Sequence, residues 1–210
     1  GFPADTRVSA GGQSEESKMR VVACLATFAL LIAPAAAEPF HHSSGEWREY
    51  HRDWLAACPP VIDEDALDYY GYSCFASTGS QELNGASHPA YKLSLIRNRL
   101  DGTVDIAITV SPDDGVFDET RPMTISFSGG PSFALKMGDD LEVRYNTINQ
   151  FFLIGPHYDE IFETFEDRNA LTLGVPLLGK EKPVTTRLSL RGVLASLDFM
   201  STYARKVAQY

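Results

Sequence analysis

The sequence predicts a mostly β, α+β fold: one antiparallel, sandwich-like domain with a short helix near residues 158–168 and a C-terminal helix near 192–207. Three observations carry this reading. Between residues 91 and 145 apolar side chains recur at every second position, in runs broken by glycine-containing turns. After Gly155-Pro156 the repeat changes to the helical 3.6. Strands come first and helices late, with no linker, internal repeat or domain boundary between them, so the chain reads as one domain over residues 46–210.

The elements follow in order. Residues 38–45 are polar and read as a flexible leader. Residues 47–54 (W-R-E-Y-H-R-D-W) mix aromatics with charges, and Trp54 to Cys58 is the first half-buried strand, stopped by Pro59-Pro60. An acidic, tyrosine-bearing excursion from Asp63 to Tyr72 precedes a returning strand from Cys74 to Ser77. Tyr91, Leu93 and Leu95, then Val104, Ile106, Ile108 and Val110, flank Arg99-Leu100-Asp101-Gly102 as a hairpin with one buried face. Met123-Ile125-Phe127, Phe133-Leu135-Met137 and Leu141-Val143-Tyr145 repeat the alternation around Gly129-Gly130-Pro131 and Gly138-Asp139-Asp140. Residues 151–154 form a short, wholly apolar strand.

Tyr158, Ile161, Phe162 and Phe165 then fall on one helical face, with Asp159 and Glu160 in the first turn and Arg168 in the last. Residues 171–175 and 184–190 are strands. The last helix starts near Gly192 and places Val193, Leu197, Met200, Ala204 and Val207 on one side.

The N-terminal segment bears on compartment. Met19-Arg20, a dozen apolar residues from Val21 to Ile32, and Ala35-Ala36-Ala37 make a secretory signal, too short to span a bilayer. Residues 1–18 are expected to be an over-extended start, and cleavage is expected after Ala37. The lost segment holds equal numbers of basic and acidic residues, so the net charge stays at −10. That acidity disfavours nucleic acid and anionic lipid as partners. Cys24 leaves with the signal, and Cys58 with Cys74 remain as an even pair in an oxidising compartment, which predicts a disulfide. A redox or metal-binding pair would need C-x-x-C spacing or added histidines, which are lacking.

Four features in order resemble the invasion-associated locus B family of secreted bacterial proteins. They are the signal followed by Asp53-Trp54-Leu55-Ala56-Ala57-Cys58; Cys74 opening a strand; a late helix followed by a strand; and Arg187-Leu188-Ser189-Leu190-Arg191-Gly192-Val193-Leu194-Ala195-Ser196-Leu197. The sequence departs from that pattern in having no further mid-chain cysteines, Val193 where the family has an aromatic, and a longer insert between the two cysteines. The resemblance implies a β-rich periplasmic or surface protein without an established enzymatic activity.

No residue pattern calls for a catalytic centre, cofactor or metal. His41-His42 lies in the leader, while His51, His88 and His157 lack zinc-binding spacing, and no G-x-S-x-G elbow is present. Asp113, Asp114, Asp118 and Glu119 form an acidic turn without the alternation of a calcium loop. The candidate interaction patch is Tyr69, Tyr70 and Tyr72 beside Asp63-Glu64-Asp65, together with Trp47, because aromatics supply contact area at low entropic cost. Trp47, Tyr50 and Trp54 form an alternative sugar-stacking set. The expected function is therefore non-enzymatic protein–protein contact at the cell envelope. The alternatives are a periplasmic hydrolase of envelope material and a small-ligand carrier.

Overall fold

Alternation sets the architecture, because each strand buries every second side chain against a second layer. The computed structural model describes residues 38–66, 69–145, 147 and 149–207, with side chains through Tyr203. The segment read as a secretory signal, with the residues before it, lies outside the described residues. Residues 37–210 form one compact unit.

The strands are β1 (Phe40–His41), β2 (Trp47–His51), β3 (Trp54–Cys58), β4 (Ser73–Gly79), β5 (Tyr91–Asn98), β6 (Val104–Val110), β7 (Met123–Phe127), β8 (Ser132–Leu135), β9 (Leu141–Val143), β10 (Gln150–Leu153), β11 (Ala170–Val175) and β12 (Val184–Ser189). Helix α1 spans Tyr158–Asp167 and α2 spans Val193–Val207. Eight strands form an antiparallel sheet in the order β1-β2-β3-β4-β5-β6-β10-β9, and four form a second sheet, β12-β11-β7-β8. The fold is thus a mostly β, sandwich-like single domain.

The inner faces meet in one core. Trp54, Leu93, Leu95, Ile106, Ile108 and Phe151 of the large sheet pack with Met123, Ile125, Leu135, Leu171, Leu173 and Leu188 of the small one. Helix α1 adds Ile161 and Phe165, and α2 adds Val193, Phe199 and Met200. The α1 side chains are those its periodicity singles out. On α2, Leu197 is only half-buried, and Ala204 and Val207 lie outside the described side chains.

The two cysteines face each other because the β3–β4 register demands it. Leu55 opposes Ser77, Ala56 opposes Ala76 and Ala57 opposes Phe75, so the next step brings Cys58 opposite Cys74. They form the disulfide, with Cα atoms 4.3 Å apart and both side chains buried.

Four local expectations change. Phe40–His41, within the segment read as a flexible leader, pairs with Arg48 and Trp47. Trp54–Cys58 is the third strand, since Trp47–His51 pairs with it along its whole length. As a second-from-edge strand under α2, β2 tolerates charges that masked its alternation. Helix α1 ends at Asp167, leaving Arg168 with extended backbone. Strand β9 stops at Val143, and Tyr145 takes a left-handed backbone at φ 56°.

Candidate functional site

Strand alternation gives the large sheet a second face, turned away from the core. Leu55 and Ala57 of β3, Phe75 and Ser77 of β4, and Lys92, Ser94 and Ile96 of β5 lie on it, as cross-strand partners must share a face. The excursion between the cysteines folds over this face. Tyr69 is buried against Phe75, Phe152, Ile96 and Ala107 in an aromatic cluster separate from the main core. Its hydroxyl donates to Gln150 Oε1 at 2.6 Å. Tyr70 stacks on Tyr69 at 4.5 Å and on Phe75 at 5.2 Å, and stays largely exposed.

Both ends of the excursion are tied down. Beyond the disulfide, the Arg99 guanidinium donates to the Pro59 carbonyl at 2.7 Å, and the Arg99 backbone N–H donates to the Tyr72 carbonyl at 3.1 Å. Arg99 is buried, and desolvation lowers its pKa from the usual guanidinium range. Tyr145 approaches from the β9–β10 turn, 4.8 Å from Tyr69, and is pushed up to about 12 by its hydrogen bond with Tyr72 together with desolvation. A cleft of about 280 Å³ remains between the loop and the sheet, lined by Tyr69, Tyr70, Phe75, Leu55, Ile96, Lys92 and Gln150, with Arg48 and Glu46 at its rim.

The expected patch is corrected on two points. Tyr69 is 4 % exposed, so it forms the support of the surface, with Tyr70 presented and Tyr72 half-buried at its edge. Trp47 lies on the opposite face. It opposes Cys58 across the ladder and reaches Tyr203 of α2, 6.1 Å between rings, because an odd-numbered step along β2 points inward. Trp54 is buried in the core, which removes it from the sugar-stacking set, while Tyr50 stacks with Phe40 on the outer face. Phe75, Lys92 and Gln150 are the residues that sequence reasoning missed. Phe75 and Lys92 are ordinary members of alternating strands, and only the pairing register brings them under the loop.

A second cleft, of about 530 Å³, lies where β12 splays from β4. It is polar, with Asp53, Glu82, Arg187, Ser189 and Arg191 in its wall. Ser189 Oγ donates to Asp53 Oδ2 at 2.6 Å, and Arg191 Nε and Nη2 donate to the same oxygen at 3.0 and 2.9 Å. These contacts hold the Asp53 carboxyl below the usual carboxylate range, and the Thr186 hydroxyl does the same for Glu82. Acid–base catalysis on a glycosidic bond splits two carboxyls apart, one of them raised. Here both are lowered.

The other candidates are engaged locally. His42 Nδ1 bonds the Ser44 hydroxyl at 2.6 Å, and His41 packs edge-on against Trp47. Asp118 accepts from the Thr120 hydroxyl and from Arg121 Nε. Among the described residues no group of histidines, cysteines and carboxylates is arranged to hold a metal. No helix among them is long and apolar enough to cross a membrane. No protein-family model, curated protein or solved structure matches the chain.

Proposed function

We propose that the protein is an extracytoplasmic recognition protein of the invasion-associated locus B kind, working at the envelope by protein contact and without catalysis. One observation carries the reading: a disulfide-pinned loop holds Tyr70 exposed above an aromatic cleft on a sheet face outside the core. Rigid aromatics on a supported surface give contact area at little entropic cost. The disulfide supports the compartment, since such bonds persist in oxidising surroundings. Both carboxyls of the polar cleft are held below the usual range and neither is raised toward a general acid, which disfavours the hydrolase alternative.

Two measurements test this. Mass spectrometry of secreted protein is expected to give an N-terminus at or near Glu38; retention of residues 1–18 contradicts the compartment. A photo-crosslinking residue in place of Tyr70 is expected to give a discrete protein adduct in envelope extract, and one in place of the exposed Leu178 is not. Equal labelling at both positions, or none at Tyr70, contradicts the recognition surface.

A further inference from the structure

The tyrosine cleft holds a cation, Lys92, that makes no ion pair among the described residues. Lys92 lines it, and its cross-strand neighbours on β4 and β6 are Gly79 and Thr109, neither of which carries charge. Along β5 its same-face neighbour is Ser94. The other cation at the rim, Arg48, is already engaged, donating from Nε and Nη2 to Glu46 Oε2 at 2.8 and 2.6 Å. No ion pair to Lys92 occurs among the described residues. In a chain with a net charge of −10, an unpaired ammonium beside Tyr70, Phe75, Leu55 and Ile96 is a local inversion of sign.

We infer that this cleft receives an acidic peptide segment of the partner, its carboxylate taken by Lys92 and an adjacent apolar or aromatic side chain laid against the Tyr70–Phe75 stack. The inference rests on reading this face as the recognition surface, and adds the chemistry of what it recognises. The volume, about 280 Å³, suits one aromatic side chain with its carboxylate and not a large ligand. Desolvation lowers the pKa of Lys92 from the ordinary lysine range, while the residue stays exposed to an arriving anion. The ammonium is a point charge on a flexible stem, able to meet a carboxylate from several directions.

The test uses two probes that differ only in charge, N-acetyl-phenylalanine and N-acetyl-phenylalaninamide, titrated into the protein by NMR. The acid is expected to shift Lys92, Ser94 and Phe75 resonances saturably, and the amide to bind about tenfold more weakly, the worth of one charge-assisted hydrogen bond. Lys92→Met, which keeps the apolar stem, is expected to abolish that difference, and Lys92→Arg to restore it. Equal binding of acid and amide, or an unchanged preference in Lys92→Met, overturns the inference. Much tighter binding of dodecanoate at the same resonances overturns the peptide assignment in favour of a lipid. Crosslinking from the Tyr70 position separates the two levels. An adduct that persists undiminished in Lys92→Met leaves the recognition surface standing and removes the acidic-segment inference, whereas loss of any adduct in the parent protein removes the surface.

Discussion

The indole N–H of Trp54 donates to the backbone carbonyl of Ser189 at 2.9 Å, joining the third strand of the large sheet to the edge strand of the small one. Around that bond the segments Asp53–Cys58 and Arg187–Leu197 meet. Asp53 accepts from Ser189 and Arg191, the Asp53 N–H approaches the Arg191 carbonyl, and Gly192 lies against the His51 carbonyl. The short motifs Asp53-Trp54 and Ser189-Leu190-Arg191-Gly192 are therefore two halves of one clasp, and their first task is to close the sandwich.

Trp54→Phe is expected to preserve the core while leaving the Ser189 carbonyl without its donor, at a cost of about 1–3 kcal/mol in chemical unfolding. Trp54→Ala adds a cavity and is expected to cost about 3–5 kcal/mol. A Phe variant as stable as the parent would show that the bond contributes nothing.

Gly192 has φ +104°, and a Cβ there would lie 1.8 Å from the His51 carbonyl oxygen. Gly192→Ala must move backbone, so a loss of roughly 3 kcal/mol or more is expected in urea titration. Leu194→Ala, two residues on at an exposed position, serves as the near-neutral comparison.

Asp53 gives the clasp an acid limit. Its folded pKa is depressed by Ser189 first and Arg191 second. Its contribution is therefore complete above the ordinary carboxylate pKa near 4 and lost as pH falls through the lower folded value. The site is partly solvated, so about 1 kcal/mol at most is expected between the parent and Asp53→Asn at pH 7, vanishing near pH 2. A difference that grows on acidification would reverse the sign and contradict the assignment.

Tyr158 sets an alkaline limit. Its hydroxyl donates to the Val104 carbonyl, and burial, reinforced by Asp105 and Asp159, pushes it up to about 12. A raised folded pKa means full stabilisation below about pH 10, lost as pH climbs toward 12. The stability gap between the parent and Tyr158→Phe is expected to shrink over that window, followed by urea midpoints. A gap constant through pH 12 would contradict it.

The disulfide closes a loop with a sequence separation of 16, and its removal in a Cys58→Ala, Cys74→Ala double variant is expected to cost about 3 kcal/mol. Thiol titration of the denatured, unreduced protein is expected to find none free from this pair.

The strands from Tyr91 to Phe127 were legible because a sheet with one buried face forces a period of two onto its sequence. Helix α1 was legible for the matching reason, its Ile161 and Phe165 being the residues that the 3.6 period singles out. The clasp was not, since Trp54 and Ser189 are distant in sequence and nothing local marks either as the other's partner. Lys92 was equally hidden: its uncharged cross-strand neighbours are a property of the β4–β5–β6 register, which puts Gly79 and Thr109 beside it. The burial of Tyr69 was hidden as well, because composition does not say which tyrosine of three will turn under the loop.

The most direct test of the recognition surface is to map where envelope material touches the molecule. Envelope extract added to the ¹⁵N-labelled protein is expected to broaden amide signals of Arg48, Leu55, Tyr70, Phe75, Ser77 and Lys92, all on the outer face of the large sheet. Broadening confined to Asp53, Glu82, Arg187 and Ser189 around the polar cleft, or no broadening at all, would contradict it.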